Sequence, residues 1–219
     1  SNSVSLEQVS GRAQYLGKNL TNGSLKIEDL VIESIETVLE IPDLEILVDR
    51  NYDSESLALF LPSTSVEDLL LGVDFVKSFS VIPIKTIDTL DSFKMKGQIK
   101  DLIILADKNS SFTRVVTNFS ELEIEKSSSF PKIKGFNGFF NFERNLGYLD
   151  FYNKDFSVDL GMLFPDVWRF SEGRGRLAYE IDGENIKFRS GLLNLKDGNT
   201  NGSGKFSLTL NDNDALKNW

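Results

Sequence analysis

Apolar and polar positions alternate along most of this chain with a period of two, the pattern of a strand with one dry face and one wet face. Ser24–Glu28 alternates after the turn signal Asn22-Gly23. Leu44–Val48 follows Pro42-Asp43, and Ser56–Leu61 is apolar enough for burial on both faces. Lys94–Ala106 alternates too, but its phase shifts near Lys100-Asp101, which predicts a bulge or a turn. Phe112–Glu125 is a long strand ending in the one-sided run Glu121-Leu122-Glu123-Ile124-Glu125. Phe136–Phe142 and Tyr148–Tyr152 are expected to form a hairpin around Arg144-Asn145-Leu146-Gly147. Arg174–Asp182, Ile186–Lys196 and Lys205–Leu210 complete a meander, turning at Asp182-Gly183 and Asp197-Gly198.

Helical signals are few. Thr64-Ser65-Val66-Glu67 reads as a capping box, Thr64 capping and Glu67 returning the bond. Leu69, Leu70, Val73 and Val76 then recur at helical spacing, so a helix is expected over about residues 65–77. Pro83 breaks it, Thr86–Phe93 leaves room for a second short helix, and Leu160–Phe164 predicts one helical turn stopped by Pro165.

The C-terminal half has three glycine-rich strand openings: Gly135-Phe136-Asn137-Gly138, Gly173-Arg174-Gly175 and Gly202-Ser203-Gly204. They lie roughly 30 to 40 residues apart, in the range of repeat architectures. No linker composition divides the chain. The expected organisation is one all-β, elongated, repetitive antiparallel sheet over residues 1–219, curved or half-closed around an apolar inner face, with one or two short helices. Its parts are N-terminal strands at 1–62, a helical insertion at 63–92, a β-meander at 93–210 and a tail at 211–219.

Composition narrows the function. A net charge of −9 disfavours phosphate neutralisation, so nucleic acid is not an expected partner. The chain has no Cys and no His. That removes disulfides, thiolate or imidazole metal ligation, and catalysis by Ser-His-Asp or Cys-His groups. No run approaches the ~20 apolar residues of a membrane-spanning helix. Ser1-Asn2-Ser3 carries no leader pattern and resembles a cloning remnant, so the chain reads as a section of something longer.

The chemical motifs have plain readings. Asp197-Gly198-Asn199-Thr200-Asn201-Gly202 matches half of a calcium loop, but Leu208 stands where a bidentate Glu is needed, so a hairpin turn is expected. Asn211–Asp214 reads as a solvated tail. Glu121, Glu123 and Glu125 sit at period two, the pattern of a wet strand face more than of a paired-acid site. Gly173-Arg174-Gly175-Arg176 opens no helix, so it is not a phosphate loop; its glycines suit a bulge or a close approach at a strand start. Trp168 and Phe170 read as core anchors. No cofactor, metal or catalytic residue is expected.

One-sided apolar faces remain as the candidate functional feature. They comprise Leu25 and Ile27; Leu44, Ile46 and Val48; and, in the C-terminal half, Phe136, Phe140, Phe142, Leu149, Phe151, Leu177, Tyr179, Ile181, Phe206, Leu208 and Leu210. A β-sandwich burying those faces between two sheets and an open sheet receiving acyl chains need the same alternation, and the pattern does not separate them.

Several segments also resemble a known family. Pro131–Gly138, the hairpin through Gly147-Tyr148-Leu149-Asp150, Phe156–Leu160, Leu163-Phe164-Pro165 and Gly173-Arg174-Gly175-Arg176-Leu177 occur in that order. With Met95-Lys96-Gly97-Gln98-Ile99-Lys100-Asp101-Leu102 and Leu192–Gly198, they resemble the YhdP branch of the AsmA-like envelope proteins of Gram-negative bacteria, over roughly residues 80 to 210. The motifs are structural, built from Gly, Leu and Asp. The resemblance implies a periplasmic section of an inner-membrane-anchored, bridge-like lipid transfer protein. Its apolar groove would conduct phospholipid by its acyl chains towards the outer membrane, with membrane attachment through segments outside this chain. At 219 residues the chain would supply one section of such a groove. The alternatives are a β-sandwich adhesion or carbohydrate-binding module and, behind it, a carboxylate-dependent hydrolase.

Overall fold

A recurring eight-residue pattern organises the strands: two apolar-face positions, an acidic residue, then two more on the same face. In the computed structural model, Asp29, Asp101, Glu121 and Asp155 have φ of 52°, 53°, 54° and 51°. These left-handed values are uncommon for residues other than glycine. Each falls inside a strand and is followed by a large apolar residue: Leu30, Leu102, Leu122 and Phe156. The left-handed residue flips side-chain parity, and the register slips at Asp29 against β1, at Glu121 against β7 and near Asp155 against β7. Leu25 and Ile27 hand over to Leu30 and Ile32, and Ile99 hands over to Leu102 and Ile104. Leu102 and Phe156 are only 2% and 4% exposed. The bulges therefore keep long strands apolar on one face.

The structure describes residues 6–19, 22–34, 38–50, 55–70, 94–107, 112–125, 132–143, 145–159, 166–182 and 185–211. The chain divides into two compact units, residues 1–113 and 114–219. Unit 1 contains β1 (Leu6–Asn19), β2 (Asn22–Ser34), β3 (Val38–Arg50), β4 (Glu55–Ser65) and β5 (Met95–Asp107), paired antiparallel in sequence order. Leu25 lies opposite Ile46 and Ile27 opposite Leu44, so the expected apolar residues of these strands do share a face.

A helical stretch at residues 66–70, α1, follows β4. Its cap differs from expectation. Ser65 caps: its Oγ accepts the Asp68 N–H (2.9 Å) and donates to Asp68 Oδ2 (2.6 Å). Thr64 does not cap: it lies opposite Ile99 in β4, and its Oγ1 donates to the Ser65 carbonyl oxygen (3.4 Å). The Glu67 carboxylate accepts from the Gly97 N–H (3.4 Å) and does not return to the helix start. Val73, Val76, the second helix and the turn at Leu160–Phe164 lie outside the described residues.

Unit 2 begins in β6 (Phe112–Ile124) and continues through β7 (Lys132–Glu143), β8 (Leu146–Asp159) and β9 (Trp168–Asp182). The expected hairpin is present, with a tighter turn: Glu143 pairs with Leu146, so Leu146 and Gly147 already belong to β8. Next come β10 (Asn185–Ser190), β11 (Leu193–Asp197), β12 (Thr200–Gly204) and β13 (Ser207–Asn211). β10 and β11 lie end to end along β9. Ser190 pairs with Leu177 and Asn194 with Arg174, so Gly191-Leu192 holds one extra residue. The expected strand 186–196 is thus one bulged strand, with β12 and β13 along its other side. Asp197 pairs with Thr200 around Gly198-Asn199, the hairpin turn expected there. All-β antiparallel architecture, with very little helix, matches the fold class expected from alternation.

Candidate functional site

The candidate site is the apolar face of the unit 2 sheet, built from cross-strand rows. Thr117, Phe140, Leu149 and Leu177 form one row. Val115, Phe142, Gly147, Tyr179, Phe188 and Leu208 form the next. Phe119, Gly138, Phe151 and Gly175 form a third. Ile181 pairs with Ile186, and Ile186 with Leu210. The register thus brings ten of the eleven expected residues onto strands of one face, with Phe136 placed among them by its buried contacts. Phe206 precedes β13, where its N–H donates to Ser190 Oγ, and it is 47% exposed.

Burial along this face is uneven. Phe136, Phe151 and Phe156 are buried, and Phe119, Leu122, Ile133, Leu149, Val158, Phe170, Leu177, Leu193 and Leu195 pack around them. Ring centroids lie 5.1 Å apart for Phe136–Phe151 and 5.0 Å for Phe156–Phe170. These distances suit aromatic pairing. Phe140, Phe142, Leu149, Leu177 and Tyr179 are half-buried, and Ile181 is 36% exposed. The side chains of Leu208 and Leu210 lie outside the described residues. Every described element of unit 2 is a strand of this sheet, so among the described residues of the unit no second layer faces the band.

The glycine openings serve three purposes, not one. Gly135 is a bulge residue with φ 71°. Gly173 lies inside β9, where a Cβ would stand 2.6 Å from Phe156 Cε1, so the Gly-x-Gly of β9 makes room for neighbouring side chains and opens no strand. A Cβ added at Gly202 or Gly204 would meet nothing within 4 Å, so no close approach requires glycine there.

Besides Thr117, whose Oγ1 donates to the Asn118 carbonyl oxygen at 3.1 Å, two polar groups interrupt the apolar face. Asn153 is 1% exposed. Its Oδ1 accepts from the Asn137 backbone N–H and from Asn137 Nδ2 (3.0 Å), and its own Nδ2 has no partner. Asn137 Oδ1 in turn accepts the Glu121 N–H at 2.8 Å. This chain joins β6, β7 and β8 where each carries its left-handed residue: Glu121, Gly135 and Asp155. The Tyr179 hydroxyl is also buried without a partner, and burial pushes its pKa up to about 12.

The opposite face is mixed: Phe139 and Tyr148 pair there, with ring centroids 6.0 Å apart, among charged and polar residues. Arg176 binds Asp150 through Nε (2.5 Å) and lies 4.2 Å from the Tyr148 ring centroid. Glu123 ion-pairs with Lys134 at 3.5 Å, the wet-face role expected of it, whereas Glu121 is a bulge residue and not one of a uniform acidic face. Among the described residues no helix is long and apolar enough to cross a membrane. Comparison with family models, with curated proteins and with solved structures gives no match.

Proposed function

We propose that the apolar face of unit 2 receives lipid acyl chains, as one section of a lipid-conducting surface. The observation that carries this reading is the half-exposed band of Phe140, Phe142, Leu149, Leu177, Tyr179 and Ile181 on a single-layered sheet. Water against such a band is unfavourable, and each acyl CH₂ withdrawn from water contributes about 0.8 kcal/mol. Contacts of this kind are weak individually and non-directional, which suits movement along a surface better than capture in one pocket. Headgroups would remain in water at the rim. The sandwich-module reading needs a second sheet over this band, and every described strand of unit 2 belongs to one sheet. The motif resemblance to AsmA-like proteins points the same way and adds the setting: a periplasmic position, an inner-membrane anchor elsewhere in the protein, and transport of phospholipid towards the outer membrane.

A photo-crosslinking residue at Phe140 or Tyr179 should capture lipid in cells, and one at Glu123, on the polar face, should not. Organic extraction and mass spectrometry of the purified protein should find bound phospholipid. Phe142→Asp should leave unit 2 folded while abolishing capture at Tyr179. Phe156→Asp, in the buried cluster, should unfold it. Unfolding by both substitutions, with no crosslink at either site, would mean that the band is a closed core.

A further inference from the structure

On the polar face of unit 2, β9, β11 and β12 border an open cleft of about 270 Å³, with Leu195 and Gly202 in its floor. Six polar side chains line it, set by strand register in two rows of three. Arg174 lies opposite Asn194, and Asn194 opposite Ser203. Glu172 lies opposite Lys196, and Lys196 opposite Asn201. The pleat puts all six on one face. The same face continues on β8, where Tyr152 is opposite Arg174 and Lys154 opposite Glu172. Tyr152 is 56% exposed.

The charges here are uncommitted. Arg12, Lys26, Lys134, Arg176 and Arg189 each have a carboxylate partner. Arg174, Lys196 and Lys154 have none within 4 Å among the described residues, and neither has Glu172. Three cations around one carboxylate make a locally positive patch on a chain whose net charge is −9. A guanidinium fork binds two oxygens of a tetrahedral anion, and an ammonium adds a point charge beside it. Asn194, Asn201 and Ser203 offer donors and acceptors suited to hydroxyl groups. Glu172 repels a bare anion but accepts a hydrogen bond from a ligand hydroxyl. The size is that of a small ligand, just below the usual pocket range of roughly 300–1,000 Å³.

We propose that this cleft binds a phosphate ester carrying neighbouring hydroxyls, with Arg174 and Lys196 on the phosphate and Glu172, Asn194, Asn201 and Ser203 on the hydroxyls. Two sources share that chemistry, a soluble glycerol or sugar phosphate and the phosphoglycerol headgroup of a lipid. The cleft opens on the face opposite the apolar band, so it stands or falls separately from acyl-chain binding.

The test is amide-shift titration of the isotope-labelled protein with sn-glycerol 3-phosphate, with inorganic phosphate, and with vesicles of phosphatidylglycerol or phosphatidylcholine. Glycerol phosphate should shift amides of residues 172–174 and 194–203 and leave 114–124 unmoved, and it should bind more tightly than inorganic phosphate. Arg174→Gln and Lys196→Gln should each weaken binding about tenfold, the scale of one exposed charge-assisted bond. Glu172→Gln should narrow the preference for the ester over inorganic phosphate. Response to phosphatidylglycerol vesicles and not to soluble ester assigns the ligand as a lipid headgroup. No response to any probe, or binding that survives Arg174→Gln with Lys196→Gln in a folded protein, overturns the proposal.

Discussion

The asparagine chain across β6, β7 and β8 gives the sharpest test of how unit 2 holds together. Asn153→Ala removes the acceptor of the Asn137 backbone N–H, which is left half-buried and unsatisfied. An orphaned donor of this kind costs about 1–3 kcal/mol. The vacated volume at a fully packed position adds about 1 kcal/mol. Against this, the substitution also removes the unpartnered Asn153 Nδ2, which returns about 1 kcal/mol. The net expectation is a loss of about 2 kcal/mol. Asn137→Ala should cost less, about 0.5–1 kcal/mol, because the exposed Glu121 N–H can turn to water and the Asn137 backbone N–H keeps its acceptor. The two residues share only the Nδ2–Oδ1 bond as a side-chain pair, so their double-mutant coupling should be about 0.5–1 kcal/mol. Urea unfolding followed by Trp168 fluorescence in a Trp219→Phe background reads the stability of unit 2. Hydrogen exchange of the Asn137 amide reads the bond itself. If Asn153→Ala is neutral and the Asn137 amide stays equally protected, the asparagine chain is not what ties the three bulges.

Four other substitutions, at three positions, probe the same face and its bulges. Tyr179→Phe should stabilise unit 2 by about 1 kcal/mol at neutral pH, by removing a buried hydroxyl without a partner. With a tyrosine pKa raised from 10.0 to about 12, the native contribution is intact below pH 10 and is lost as pH rises towards 12, because the unfolded chain ionises first. The alkaline fall in stability should therefore flatten in Tyr179→Phe, as read by melts across that pH range. Gly173→Ala should destabilise by about 1–3 kcal/mol in urea unfolding, since its Cβ would stand 2.6 Å from the Phe156 ring. Glu121→Gly should be neutral or stabilising by up to about 1 kcal/mol and Glu121→Val destabilising, because φ at this position is 54°; equal melting temperatures would refute the strain.

Alternation was legible, and the strands it predicts are present where they can be described. The phase shift at Lys100-Asp101 was legible as well, because apolar residues stand on both sides of a single interruption. The same device at Asp29, Glu121 and Asp155 was harder to see. A carboxylate at a bulge looks like any wet-face carboxylate, and Glu121 sits at period two with Glu123 and Glu125. Only the parity change, from Phe119 to Leu122 or from Asn153 to Phe156, marks it. The helix cap was ambiguous by one residue. Thr64-x-x-Glu67 and Ser65-x-x-Asp68 both satisfy the pattern, and the Glu67 carboxylate is taken by the Gly97 N–H of β5, a contact between distant segments. The polar cleft had no sequence signature, because its two rows come from three strands whose register includes the extra residue at Gly191-Leu192.

The line of bulges also explains why burial on the apolar face is uneven. A bulge bends the strand that carries it and sharpens its twist. In β6, β7 and β8 the bulges are neighbours tied by Asn137 and Asn153, so three strands deform together. Apolar residues on either side of the line, Phe119 and Leu122, Ile133 and Phe136, Phe151 and Phe156, are gathered into one cluster. The three buried phenylalanines lie there. Phe140, Phe142, Tyr179 and Ile181 lie away from it and keep part of their surface open. A single-layered sheet can thus concentrate its packing along one seam and leave the rest of the same face available to a ligand. Changes at the seam, such as Asn153→Ala or Phe156→Asp, act on stability first. Changes beyond it, such as Phe142→Asp, act on whatever the open part of the face contacts.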